Sequence, residues 1–374
     1  MTLRKIRPFL SFAQEKCKTV YKPKQDICVD ESLLLYKGRI HFRRYIPSKR
    51  SRYGMLTYCL CESSTGYTWN IEVAAGKKEN ENILKDVSDD AKNFTFSEKI
   101  VIALLADLSN CGYHLYVDNF FTSVRLAAYL YERNTLLTGT IRPFRGVPQI
   151  LRDKNVPAKS HAFCRKDEVL CVKAVERKSS GLKTIYLVDT ANTAGTSSHQ
   201  RILRGGVEDN INKSWSVLAY NKGMGGVDSR DGSLHQYNMA RKNYKWFTKL
   251  GIHLTHVMIR NSWIVYKSCG GNCDFLSYQE KVIENFVVKS GQIRRSGPSG
   301  GRLPLNAKDS NSLHALKRLS PRPNKERPAK KCRICASDGR RKETVFVCPD
   351  CPTTPALCVD PCFRIYHSKD EEDS

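Results

Sequence analysis

Acidic residues are scarce in this chain, and long apolar runs are missing. Of 374 residues, 37 are Asp or Glu against 62 Lys or Arg, a net charge of +25. That imbalance points to a polyanionic partner, most often nucleic acid. No run reaches the about 18 uninterrupted apolar residues of a membrane span, so no membrane partner is expected. Met1 to Gln14 is too short and too polar for a secretory signal. Without a signal, fifteen cysteines argue for a reducing compartment, where clustered thiols are metal ligands rather than disulfides. Between Glu31 and Glu62 there is no acid at all, while Lys37, Arg39, Arg43, Arg44, Lys49, Arg50 and Arg52 crowd that stretch. Such a patch suits a phosphate backbone. The plainer reading is a solvated cationic face.

What is present reads as an α/β chain with a mixed sheet. Residues 1–24 form a leading segment with no clear period. Asp26 to Asp30 alternates apolar and polar as a strand, with Asp30 at its end; Ile40 to Tyr45, Gly54 to Cys61 and Tyr67 to Val73 complete an antiparallel meander. Thr95-Phe96-Ser97-Glu98 is a capping box, and Ile100, Val101, Leu104, Leu105 and Leu108 follow at helical spacing. Tyr113 to Val117 is a short buried strand delivering Asp118. Ser123 caps a second helix, and Thr135 to Ile141 returns as a strand. Residues 25–149 are thus the first part of a core. Residues 150–213 carry short strands, Val169 to Val175 and Lys183 to Val188, and read as a β-rich insertion. Residues 214–287 are its helical second part, broken near Lys242–Trp246, with Leu250, Leu254, Val257, Met258, Asn261 and Ile264 on the buried face. Residues 288–331, rich in Gly, Ser, Pro and cations, read as a flexible basic linker before a cysteine-rich domain at 332–374.

Three acidic signatures stand out: Val29-Asp30-Glu31-Ser32 with Lys37-Gly38-Arg39, Val117-Asp118-Asn119-Phe120-Phe121-Thr122-Ser123, and Gly225-Gly226-Val227-Asp228 with Asp231 behind it. Three carboxylates from distant parts of one chain are what a two-metal phosphoryl-transfer site needs. One Asp at a strand end is ordinarily a turn residue or a cap; their joint order is informative. Asp228 and Asp231, three apart, can share a helical face near a helix N-terminus.

The order and wording of these segments, with Arg44-Tyr45-Ile46-Pro47-Ser48-Lys49, resemble the piggyBac family of DNA transposases from about Lys5 to the C-terminus. The resemblance implies an RNase H-like core and catalytic acids at Asp30, Asp118 and Asp228, with Asp231 as a nearby helper. It further implies Mg²⁺ or Mn²⁺ on the first three and cut-and-paste transposition at TTAA sequences through hairpin intermediates. Arg39, Arg43, Arg44, Lys49 and Arg52 become DNA-backbone contacts. Trp246 matches a family tryptophan, either stacking on DNA near the cleaved end or packing in the core. His253 and His256 lie three apart on a helix without a carboxylate at matching spacing, so they read as buried structural histidines.

The tail reads Cys332-x2-Cys335-x12-Cys348-x2-Cys351-x6-Cys358-x3-Cys362-x4-His367. Cysteine pairs two apart suit tetrahedral Zn²⁺. Seven ligands are one short of two zincs; His314 matches a family histidine and is the candidate eighth. Interleaved pairs would make a cross-brace, though spacing alone does not decide the pairing. Such a segment unfolds without metal. In the family this tail recognises transposon-end DNA; a protein-binding finger is the alternative. Cys269 and Cys273 read as free thiols around a turn.

Only 29 residues precede Asp30, whereas the resemblance implies a longer N-terminal region. The chain is therefore expected to be truncated, a fragmentary gene product or a domesticated derivative. Arg50 and Gly232 replace residues common in the family without removing an acid. Three readings follow: a transposase core; a domesticated DNA-binding protein without cleavage; a zinc-finger interaction module on a scaffold. Intact acids favour the first over the second, since a binder has no need of three like charges together. The nucleus is the expected compartment, and the basic run Arg322 to Arg333 reads equally as a nuclear signal or as DNA-contacting charge. Homodimerisation is compatible with the sequence and not required by it.

Overall fold

The computed structural model describes residues 2–293 and 314–368, apart from positions 48, 50, 85, 86, 88, 179, 180, 203–207, 238, 240, 241, 322 and 324–327. The chain divides into two units, Met1–Val287 and Val288–Ser374. The larger contains α1 (Arg7–Val20), β1 (Asp26–Leu35), β2 (Arg44–Tyr45), β3 (Tyr53–Glu62), β4 (Thr68–Val73), α2 (Lys77–Ile83) and α3 (Phe96–Leu105). There follow β5 (His114–Val117), α4 (Val124–Tyr131), β6 (Leu136–Thr140), α5 (Gln149–Asp153), β7 (His161–Lys166), β8 (Val169–Lys178) and β9 (Gly181–Asp189). The ribbon β10 (Thr196–Ile202) and β11 (Glu208–Ser214) precedes α6 (Trp215–Gly223), α7 (Gly226–Gln236), α8 (Trp246–Ser268) and α9 (Phe275–Ile293).

One nine-stranded sheet organises this unit, in the order β2-β3-β1-β5-β6-β9-β8-β7, with β4 also on β3. β1 runs antiparallel to β3 and parallel to β5, β5 runs parallel to β6, and β6 meets β9 antiparallel. Strand alternation sorts the two faces. Ile27, Val29, Leu115 and Val117 join Ile100, Leu104, Leu126 and Leu130 of α3 and α4 on one side. Cys28 and Tyr116 join Leu10, Val227, Leu250 and Leu254 of α1, α7 and α8 on the other. Both faces are helix-covered, which explains why β3 is buried almost throughout.

The local signals for α3 and α4 act as expected. Glu98 accepts the Thr95 backbone N–H at 2.6 Å, and Ser123 Oγ accepts the Leu126 N–H at 3.0 Å. Four expectations change. The leading segment contains α1, opened by Pro8 in its first turn and buried through Leu10, Ala13 and Cys17. The strand expected over Ile40 to Tyr45 shrinks to Arg44–Tyr45. β1 continues five residues past Asp30, because β3 pairs along its whole length. The β-rich insertion is no separate body: β9 pairs with β6 and carries β8 and β7 into the same sheet. Among the described residues no helix is long and apolar enough to cross a membrane.

In the smaller unit, β12 (Lys317–Arg318) pairs with β15 (Phe346–Val347), and β13 (Lys330–Lys331) pairs with β14 (Glu343–Thr344). Two short helices, α10 (Arg333–Ser337) and α11 (Cys362–Ser368), complete it. The segment expected as linker up to 331 therefore supplies two strands of the finger; its part from 294 to 313 lies outside the described residues.

Candidate active site and metal clusters

The parallel pairing of β1 with β5 ends at Val29 opposite Val117, so Asp30 and Asp118 are the next residues on two adjacent strands. Both lie on the face of Cys28 and Tyr116, where α7 packs. α7 brings Asp228 there in its first turn. Its approach depends on Gly226: a Cβ there would stand 2.6 Å from the Glu62 carbonyl and 2.7 Å from Cys28 Sγ. The three carboxylates thus converge from three elements. Burial pushes the Asp30 carboxyl up to about 6, opposed by the Glu31 N–H and by Lys49, and reinforced by the charges of Asp228 and Asp118. They are more open than a closed ligand cluster; groups of three or more ligand atoms within 4.8 Å occur, among the described residues, only in the Cys/His tail.

Each strand-borne carboxylate has one oxygen held. Asp30 Oδ1 accepts the Glu31 N–H at 2.8 Å, and Asp118 Oδ1 accepts the Asn119 N–H at 2.6 Å. Asp118 Oδ1 also accepts from Thr140 Oγ1, at the end of β6, at 2.8 Å. Tyr220, on α6, brings its hydroxyl within 3.5 Å of the same Thr140 oxygen. Burial first, then the charges of Asp118, Asp30 and Asp228, hold the Tyr220 phenol up at about 12 despite the Thr140 contact, so it remains a neutral hydroxyl.

Asp231 has a different setting. Its Oδ1 accepts from Arg230 at 2.6 Å and from Ser32 at 3.0 Å, and Arg230 is fully buried. Although burial opposes it, Arg230 and Ser32 hold the Asp231 carboxyl below the usual range, as a charged partner inside the fold. Sequence reading singled out none of Thr140, Tyr220 and Arg230. Arg230 had a faint signal in lying between two acids; the other two had none.

Of the basic residues, Lys49 lies near Asp30 and Arg44 near Glu31. Arg39, Arg43, Arg44 and Arg52 are exposed, and half-buried Lys49 donates to the Glu31 carbonyl at 3.2 Å. Beside them a groove of about 1560 Å³ is lined by Ser32, Lys37, Arg39, Lys49, Asp228, Asp231 and Tyr244. Trp246 opens α8 edge-on to Phe42, with ring centroids 5.3 Å apart, and is half-buried in that packing. His253 and His256 are buried; burial, with Arg230 nearby, pushes His253 down to about 4, so it stays neutral.

In the tail, Cys332, Cys335, Cys358 and Cys362 form one cluster, and His314, Cys348, Cys351 and His367 the other. The pairs interleave along the chain, as in a cross-brace. Phe363 O lies 2.7 Å from His367 Nδ1, so that nitrogen carries the proton and Nε2, 3.2 Å from Cys351 Sγ, is left as the ligand atom. His314 turns Nδ1 to Cys348 and Cys351, at 3.4 and 3.2 Å. Each cluster thus brings together four donors of the types that hold a structural Zn²⁺.

Comparison with known proteins bears on both units. Residues 1–263 match the family model described as Transposase IS4, and residues 318–368 match that of a transposase-like zinc finger. The human PiggyBac transposable element-derived protein 3 is 22% identical over 98% of this chain and 59% of its own length. The human PiggyBac transposable element-derived protein 2 is 21% identical over 52% of this chain and 34% of its own. The chain thus spans less than two thirds of these relatives. Its fold is similar to that of a piggyBac transposase solved as a synaptic complex with hairpin DNA, with a TM-score of 0.66 and 22% identity, covering 96% of this chain and 73% of that one. With a family model matching most of its length, this chain belongs to the piggyBac-type Transposase IS4 family.

Proposed function

We propose that this chain is the catalytic core of a DNA transposase that cleaves and joins strands at TTAA sequences, with Asp30, Asp118 and Asp228 holding Mg²⁺ or Mn²⁺. The observation that carries the reading is the meeting of these carboxylates on one sheet face, where burial and mutual repulsion already push Asp30 up to about 6. A fold that gathers like charges and, among the described residues, gives them no bidentate cation fits a divalent metal. The order β4-β3-β1-β5-β6, with β3 antiparallel to β1 and β4, and β1, β5 and β6 parallel, supports an RNase H-like core. When bound, the ions would supply Lewis acidity at the attacking and leaving oxygens. The chain's own part is to hold the acids in place and to dock the DNA backbone through Arg39, Arg43, Arg44, Lys49 and Arg52, with Trp246 as a stacking platform near the cleaved end. Asp231 supports the site by fixing Arg230. One Zn²⁺ in each Cys/His cluster would order the finger, which reads transposon ends. A nuclear location goes with that substrate.

A second reading, a domesticated DNA-binding protein without cleavage, is favoured by the names of the curated relatives. One experiment separates the two: a TTAA-flanked duplex with Mg²⁺ or Mn²⁺, beside an Asp118→Ala control. Metal-dependent nicking that the control lacks is expected. Salt-sensitive DNA binding without nicking would favour the second reading.

A further inference from the structure

Asp118 is held more firmly than a turn carboxylate needs to be. Its Oδ1 takes two hydrogen bonds, from the Asn119 N–H at 2.6 Å and from Thr140 Oγ1 at 2.8 Å. No described hydrogen bond reaches Oδ2. The first donor is local and would follow the carboxylate wherever its own backbone went. The second comes from a different strand, whose pairing with β5 ends at Val117 opposite Gly139, one residue before Asp118 and one before Thr140. Gly139 allows that closeness: a Cβ there would stand 2.7 Å from the Val117 carbonyl and 2.6 Å from Thr122 Oγ1. The Tyr220 hydroxyl, 3.5 Å from Oγ1, is a more distant acceptor for the same Thr140 proton, and its ring packs against the cluster of Leu170, Val172, Ala174, Leu187 and Val217. α6 itself is pressed to β5 through Gly223, where a Cβ would stand 2.4 Å from the Tyr116 ring. With the Asp118 oxygen the nearer acceptor, the Thr140 proton goes to Asp118, and the two donors engage one oxygen of Asp118 only.

We propose that Thr140 is a positioning residue for Asp118, occupying Oδ1 so that Oδ2 is the oxygen offered to a divalent cation. This rests on the metal-site reading given above and deepens it. The physical basis is that a carboxylate free to rotate about its last bond spends part of its time with the wrong oxygen forward. A neighbour that fixes the ligand's orientation typically contributes about 10–100-fold in metal affinity or activity.

The test is Mn²⁺ binding to the purified full chain, followed by electron paramagnetic resonance, with zinc kept in the finger. Wild type, Thr140→Val, Thr140→Ser, Tyr220→Phe and Asp118→Ala are compared. Thr140→Val keeps the branched shape and removes only the hydroxyl; it should weaken Mn²⁺ binding by about 10–100-fold. Thr140→Ser should restore most of it, a rescue that packing at Thr140 would not produce. Tyr220→Phe, which removes the rival acceptor for the Thr140 proton, should leave binding at or slightly above the wild-type level. Wild-type affinity in Thr140→Val, with Asp118→Ala still defective, would overturn this proposal and leave the metal site standing. Wild-type binding no tighter than that of Asp118→Ala would overturn both. If Thr140→Val misfolds, Thr140→Ala takes its place: weakened Mn²⁺ binding there with rescue in Thr140→Ser supports the proposal, and wild-type affinity overturns it.

Discussion

Asp30 shows what the site demands of a single residue. Its carboxyl ordinarily titrates at 3.8 and here at about 6, through burial and the neighbouring acids. A raised carboxyl pKa means that the native state binds the proton more tightly than the unfolded chain does. Ionisation therefore works against the metal-free fold increasingly between pH about 4 and 6, and fully above that window. Asp30→Asn should stabilise the metal-free protein at pH 8 by on the order of 1–3 kcal/mol. Near pH 4 that gain should almost vanish. Thermal melts at the two pH values measure it, and identical wild-type and variant melting at pH 8 would remove the electrostatic argument. With divalent metal present the ranking should reverse, because a charged carboxylate holds a divalent cation more strongly than a neutral amide oxygen does. Asp231 has the opposite character: Arg230 and Ser32 keep it ionised, so its replacement strands a buried guanidinium. Asp231→Ala should cost about 3–5 kcal/mol, read from denaturant midpoints.

At the scale of elements, the site depends on how closely α7 approaches the sheet. Gly226 stands where β1 and β3 leave no room for a Cβ, with the Glu62 carbonyl and Cys28 Sγ both under 3 Å away. A backbone carbonyl cannot swing aside as a side chain can. Gly226→Ala should therefore push the start of α7 outward, destabilise the unit by about 1–3 kcal/mol, and move Asp228 off the other two acids. Loss of Mn²⁺ binding alongside a lowered melting temperature would show it; an unchanged metal affinity would mean that α7 is not what sets Asp228. The elements also show where local sequence reading works. The boundaries of α3 and α4 follow from caps within a few residues of each other. α1 lacks a side-chain cap at Ile6, and its buried positions lie against α8 and β4, so its cause is tertiary.

At the scale of the whole molecule, two units hold their folds by different means. The larger buries apolar side chains on both faces of a nine-stranded sheet. The smaller has two-residue strands and a core made largely of cysteines, so metal must supply the stabilisation that burial does not. Stripping zinc with a chelator should unfold residues 314–368 and leave the melting of the larger unit in place. Hydrogen exchange read separately for the two units tests this, and a protected finger after zinc removal would refute it. His314→Ala should lower bound zinc from two per chain toward one by elemental analysis, with the all-cysteine cluster retained.

The sequence by itself determined the capped helices, the order of the acid-bearing segments and the chemistry of the tail ligands. Each of these is local: a cap, an alternation or a ligand pair is complete within a few residues. Only the tertiary structure decided which acids meet, because that depends on β1 and β5 ending their pairing together and on Gly226 letting α7 close over them. It also decided that β9 joins β6 in one sheet, that Thr140 donates to Asp118 with Tyr220 close by, and how eight tail ligands divide into two clusters. Those are contacts between residues far apart in the chain, and no spacing along the sequence encodes them.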